Sequence, residues 1–233
     1  MNKPVVVVGG SLEGKSPLET VAETAVNLEF GHDAEPLTLC NAMKMDEERL
    51  RNLVRGAAII THSAGVMPVL QTIKGSSLGE LPEELAIVAS PEPMSIPSLV
   101  MAAARKTGSH LFGRKSRPRK NHLKVVASNA AELMAHPFAS RRHIGAISRY
   151  STISELDEFR SKPLLVDRTS IGLYCMEDDE FFSDSNLRGL AMADRLGYSS
   201  LLLAGRHDEL LVNPEVILNK IVASGIYREK LLD

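Results

Sequence analysis

Six short apolar runs, spaced along the whole chain, constrain what it can fold into. Residues 3–8, 36–40, 57–61, 85–89, 170–176 and 199–204 are each of strand length. The first, ending in Val5-Val6-Val7-Val8, shows no alternation of apolar and polar residues. Such runs suit parallel strands covered on both faces. Helix-period segments lie between them. Ser16-Pro17-Leu18-Glu19 combines an N-cap, a proline at the first helical position and a capping-box glutamate. Leu18, Val21, Ala25 and Leu28 then recur at helical spacing. Residues 46–54, 64–73 and 187–196 read as further helices, and Asn213-Pro214 opens a last one running to about Ser224. Strands and helices that alternate this regularly predict an α/β fold, a doubly wound and mostly parallel six-stranded sheet.

One region breaks the rhythm. Residues 95–162 carry helix-like pieces at 96–106, 129–135 and 152–160, but no strand-helix unit. From Ser95 to Tyr150 there are eleven Lys or Arg and one acid, Glu132, against sixteen bases and twenty-eight acids elsewhere. The expected organisation is therefore a core of residues 1–94 and 163–233, with a helical, basic cap inserted at 95–162. The run Arg114-Lys115-Ser116-Arg117-Pro118-Arg119-Lys120 suits attraction of an anionic substrate. It holds no aromatic residue for base stacking, so no nucleic-acid partner is expected. Met94, Ile96, Leu99, Val100 and Met101 read either as pocket lining or as plain packing.

The length of 233 residues, 44% hydrophobic and 24% charged, is that of a folded globular domain. No apolar stretch is long enough to span a bilayer, and no signal-peptide pattern precedes the first strand. Cys40 and Cys175 lie in apolar, strand-like surroundings and read as free, buried thiols. That usage suits a reducing compartment, and a cytoplasmic location is the expectation.

Thr61-His62-Ser63-Ala64-Gly65 stands where an apolar strand meets a helix. A serine on that turn is lifted above the carboxyl edge of the sheet, and the Ala64 N–H opens the helix towards a developing oxyanion. Gly65 meets the need for a small residue where the backbones converge, while Thr61 stands where glycine is usual. A serine needs a base, and the base needs a carboxylate to hold its tautomer. Glu177-Asp178-Asp179 follows the fifth strand and Arg206-His207-Asp208 the sixth, so both types leave the same sheet edge in the required chain order.

These residues resemble the α/β-hydrolase superfamily, and the resemblance covers most of the chain. It implies the strand order 2-1-3-4-5-6, a cap between the fourth and fifth strands, and an esterase-like serine hydrolase. It further implies Ser63 as nucleophile, His207 as base and Asp179 as acid, with Asp178 the alternative acid. Ala64 supplies one oxyanion N–H, and the loop Gly9-Gly10-Ser11-Leu12 supplies the second, with Gly10 and Ser11 as candidates. His62 carries no chemistry in this reading, and Asp208 and Glu209 are solvated or supporting. The implied partner is a small-molecule ester or other acyl compound; no cofactor and no metal are expected. His32, His110, His122, His136 and His143 show no ligand spacing. The oligomeric state is open.

Two other readings stand beside it. Residues 9–16, Gly-Gly-Ser-Leu-Glu-Gly-Lys-Ser, match a phosphate-binding P-loop between a strand and a helix. No following strand ends in an acid suited to hold Mg²⁺, which weighs against a nucleotide site. A non-catalytic binding module on the same fold is the third reading.

Overall fold

In a computed structural model of the protein, residues 3–11, 13–99, 101–102, 119–160, 168–179, 181 and 183–224 are described. The strands are β1 (Val5–Val8), β2 (Ala34–Leu37), β3 (Ala58–His62), β4 (Glu84–Val88), β5 (Ser170–Asp178) and β6 (Ser199–Arg206). They form one sheet in the order β2-β1-β3-β4-β5-β6, and every pairing is parallel. Val6, Val8, Ile59, Leu85, Ile87, Leu173 and Cys175 point to one apolar layer. Val5, Val7, Ile60, Ala86, Val88, Tyr174 and Met176 point to the other. Successive side chains of a strand face opposite ways, so a strand buried on both faces must be apolar throughout.

Helices cover both layers. Against the first pack α2 (Leu39–Lys44), α3 (Glu47–Val54), α4 (Val66–Gly75), α7 (Thr152–Arg160) and α8 (Ser183–Leu196). Against the second pack α1 (Lys15–Asn27), α9 (Glu209–Val212) and α10 (Pro214–Ala223). The stripe Leu18, Val21, Ala22 and Ala25 is buried on α1. Burial of each Val or Leu side chain stabilises the fold by about 1.5–3 kcal/mol.

Three local expectations need correction. Cys40 lies in a helix, not in the second strand, because Thr38 ends the extended run. Its side chain accepts the Asn41 N–H at 3.2 Å and caps α2. α1 begins one residue before Ser16, with Gly14 rather than Ser16 as its N-cap. β5 and β6 each run two residues further than apolarity alone indicates, with an irregularity between Met176 and Asp178. Cross-strand backbone bonds carry a strand past its last apolar residue.

Between β4 and β5 lie α5 (Arg119–Ala135), α6 (Pro137–Ile147) and α7. α5 is longer than the expected piece and takes in Arg119 and Lys120 of the basic run. α6, which has Pro137 in its first turn, was not among the expected pieces. Residues 96–99 and 101–102 are helical, but 103–118, with most of the basic run, fall outside the described residues. α5 meets the core through buried Val125, through Asn121 Nδ2 donating to the Val212 carbonyl at 3.0 Å, and through Lys124 Nζ donating to Thr20 Oγ1 at 3.1 Å. α7 is fastened to the end of β4. The Thr152 N–H and hydroxyl donate to the Pro91 carbonyl at 3.2 and 2.9 Å, and Ile153 N–H donates to Glu92 at 3.0 Å. Met94 and Leu99 pack against the core, whereas Ile96 and Met101 are exposed. No helix among the described residues is long and apolar enough to cross a membrane.

Burial pushes the Cys175 thiol up to about 12, and the neighbouring Asp179 and Glu92 charges push the same way. A raised pKa leaves roughly one molecule in ten thousand as reactive thiolate at pH 8. Iodoacetamide at pH 8 is therefore expected to spare Cys175 in the folded protein and to modify it in denaturant, as read by peptide mass spectrometry.

Candidate active site

The end of β3 bends sharply. Ser63 has φ +52°, left-handed backbone that costs a residue with a Cβ of order 1–3 kcal/mol. The surroundings impose it. A Cβ on Gly65 would overlap the Val8 carbonyl oxygen and stand 2.7 Å from that of Gly9, so β1 and the new helix meet with no space between. Thr61, in the position where glycine is usual, is fully buried and donates its hydroxyl to the Ala86 carbonyl at 3.3 Å. Its polar atom is thereby satisfied. Ala64 is the second residue of the short 3-10 turn at residues 63–65 that leads into α4. Its N–H belongs to the first turn and so lacks an intrahelical acceptor.

His207 follows β6, and Asp179 follows β5. Asp179 Oδ2 lies 2.9 Å from His207 Nδ1, and both side chains are buried. Asp179 Oδ1 accepts the Phe181 N–H at 2.8 Å, and the Phe181 ring stands 4.7 Å from the imidazole. An imidazole whose Nδ1–H is held by a carboxylate presents Nε2 as its basic face. Asp178 is exposed, still within β5, in register with Arg206. Ser63 Oγ makes no hydrogen bond among the described residues.

The loop after β1 departs from expectation in one respect. The Gly10 N–H donates to Glu13 Oε2 at 2.6 Å, so Gly10 offers the site no free donor. What it allows is close approach: a Cβ there would stand 2.6 Å from Ser63 Cβ and 3.0 Å from Ser63 Oγ, so only glycine lets the loop lie against the serine. Ser11 is the remaining described candidate, and its enclosed hydroxyl has no hydrogen-bond partner among the described residues. Leu12 falls outside the described residues.

Glu13 and His62 are the residues that sequence reasoning undervalued. His62 Nδ1 lies 2.6 Å from Glu13 Oε1, and His62 Nε2 lies 2.6 Å from the carbonyl oxygen of His207. The carbonyl only accepts, so Nε2 carries a proton, and another proton lies between Nδ1 and Glu13. Both side chains are buried, at 0% and 3% exposure. A chain of bonds thus runs from Gly10 through Glu13 and His62 to the main chain of His207, across the ends of β1, β3 and β6. A histidine beside the serine and a glutamate in a glycine loop were the available signals; only folding shows that they meet. Asp208 and Glu209 are also buried, at 0% and 7% exposure, not solvated.

Ligand atoms of Glu13, His62 and His207 lie within 4.8 Å of one another. They suit a metal poorly. Both nitrogens of His62 are already engaged, which leaves no lone pair for an ion.

The sheet order, the helices on both faces and the serine turn after β3 are those of the α/β-hydrolase fold, and comparison with solved structures agrees. An esterase from Rhodococcus sp. ECU1013 superposes with a TM-score of 0.63 at 12% identity, over 95% of this chain and 90% of that one. A carboxylesterase of the thaumarchaeon Nitrososphaera gargenis gives 0.59 at 11% identity, over 95% and 89%. A putative non-heme bromoperoxidase from Mycobacterium tuberculosis gives 0.56 at 9% identity, over 96% and 91%. The chain has the α/β-hydrolase fold. No protein-family profile matches the sequence, and no curated protein sequence does.

Removing one partner of a buried hydrogen-bonded charge pair costs about 3–5 kcal/mol. Glu13→Ala and His62→Ala are each expected to lower the unfolding free energy by about that much in urea titrations. The double variant should lose less than the sum by more than about 1 kcal/mol, since the two share one network.

Proposed function

We propose that the protein is a serine hydrolase that cleaves a carboxylic ester or related acyl bond through an acyl-enzyme. The observation that carries this reading is the buried His207–Asp179 pair at 2.9 Å, set on the sheet edge that also bears the left-handed Ser63. Neither feature is needed to build the sheet, and together they put a base with a fixed tautomer on the same sheet edge as a serine on a strained turn.

In this mechanism Ser63 Oγ attacks the acyl carbonyl and gives its proton to His207 Nε2. Asp179 holds the imidazole in place and stabilises the imidazolium. The Ala64 and Ser11 N–H groups receive the negative charge on the carbonyl oxygen, and Gly10 lets the loop that carries Ser11 lie against Ser63. The imidazolium passes its proton to the departing alkoxide. Water, deprotonated by His207, then releases the acid and returns the proton to Ser63. Glu13 and His62 position the reacting groups: Glu13 shapes the loop that carries Ser11, and His62 ties the serine turn to the His207 backbone. The substrate in this reading is a small acyl compound. The basic insertion suits one with an anionic group, and no cofactor takes part.

A P-loop is not favoured by the geometry. The buried Glu13 carboxylate takes the Gly10 N–H that a phosphate would need, and its charge would repel one. A Cβ on Gly14 would overlap Ser128 of α5, so the start of α1 is covered. Lys15 points outward, 3.6 Å from Glu19 on the same helix.

A fluorophosphonate probe is expected to label the protein at Ser63 and to leave Ser63→Ala unlabelled. Labelling of Ser63→Ala at the wild-type rate would refute the assignment. In turnover of short aryl esters, Asp179→Asn should lower kcat by about 10³–10⁴-fold through the wrong imidazole tautomer. Asp178→Asn, on an exposed side chain, should change it less than about threefold.

A further inference from the structure

Away from the serine turn, three metal-ligating side chains of different kinds converge. Cys40 Sγ, a Glu132 carboxylate oxygen and a His136 ring nitrogen all lie within 4.8 Å of one another. Cys40 is 4% exposed, and the other two are half-buried. Glu132 and His136 are four residues apart, and the His136 N–H donates to the Glu132 carbonyl at 3.0 Å, which closes the last turn of α5. One helix face therefore presents both, the spacing by which a single helix gives two ligands to one ion. Cys40 comes from α2.

How these groups are left by the rest of the protein is the telling observation. Glu132 Oε1 is enclosed and has no hydrogen-bond partner among the described residues. Among the described residues none of the three side chains hydrogen-bonds another, although all are close enough to share one ion. Cys40 also stands apart from both apolar clusters of the core, unlike its neighbours Leu39 and Ala42. An enclosed carboxylate oxygen without a donor is an unmet cost that a cation would remove.

We propose that Cys40, Glu132 and His136 bind a zinc ion that ties the inserted helix α5 to the core helix α2. Thiolate, imidazole and carboxylate together suit a borderline-soft divalent cation rather than Mg²⁺ or Ca²⁺. Two negative ligands balance the ion's charge, and the thiol proton leaves on binding. Around a tetrahedral zinc, ligand atoms sit roughly 3.3–3.8 Å apart, so rotation of the three side chains by about 1 Å closes the site. The fourth position is left to water. Spacing along the chain could not show this, because Cys40 precedes Glu132 by more than ninety residues.

The test uses the full chain stripped with a chelator, then titrated with zinc chloride by calorimetry and with cobalt chloride by absorption. One equivalent should bind, and the cobalt form should show an intense near-ultraviolet thiolate charge-transfer band. Cys40→Ser and His136→Ala should each weaken zinc binding by about 100-fold or more, beyond the 10–100-fold typical of outer-shell changes. Glu132→Gln, which keeps the size of the side chain, should weaken it as well. Excess zinc should raise the melting temperature of the wild type and not that of Cys40→Ser, while the metal-free forms of the two melt alike. Absence of stoichiometric binding, a cobalt spectrum without the thiolate band, or binding that survives Cys40→Ser and is lost in His62→Asn would each overturn the proposal. Every readout is independent of ester turnover, so failure here leaves the hydrolase reading standing.

Discussion

The short chain of bonds from Gly10 N–H through Glu13 and His62 to the His207 carbonyl holds together three segments that are far apart in sequence. A parallel sheet brings the ends of β1, β3 and β6 to one edge, but β3 and β6 are not neighbours there. The loops that leave those ends need a further constraint to keep a fixed relation. A buried carboxylate and imidazole supply it because neither tolerates the loss of its partner in a medium of low dielectric. The same pair shapes the loop beside Ser63 and fixes the backbone on which the His207 imidazole is mounted.

That constraint acts together with a steric one. Val8 and Gly9 approach Gly65 so closely that the chain must turn left-handed at Ser63. The strained serine is a local cost that the packed sheet around it sustains, since β3 lies between β1 and β4 and is buried along its whole length. Thr61 shows how much latitude remains. A hydroxyl stands where glycine is usual, and the carbonyl of Ala86 on β4 accepts it. Order at the turn thus rests on backbone proximity and on one satisfied polar atom, not on a fixed residue pattern.

The insertion between β4 and β5 is fastened in two ways. Its last helix, α7, is bound to the Pro91-Glu92 segment by hydrogen bonds that cap its start. Burial holds the Glu92 carboxyl above the usual carboxylate range, while the donors from Ser151 and Ile153 favour its charged form. α5 meets the core through Val125 and through side-chain contacts to α1 and α9. The proposed zinc ion would add a link from α5 to α2, which packs on the face of the sheet opposite α1.

Much of the fold was legible because a doubly covered strand has only one chemical solution. Apolar residues are needed on both faces, so runs such as Val5-Val6-Val7-Val8 and Ala86-Ile87-Val88 declare themselves. The alternation of such runs with helical segments leaves few topologies. The places of Ser63 and His207 in the fold were legible for a related reason: each follows a strand directly, and parallel strands share one carboxyl edge. Which acid faces the imidazole was not legible from residue types. Adjacent residues near a strand end point in different directions, and the irregularity after Met176 sets that phase, turning Asp178 outward and Asp179 inward. The fate of Glu13 was equally hidden. Read along the chain it belongs to a phosphate-loop pattern, but its partner His62 lies 49 residues away. Local sequence determined strands, helices and the serine turn, because those depend on near neighbours and burial. Tertiary structure alone decided which charged groups meet, because a buried ion's partner is set by where distant chain segments come to rest.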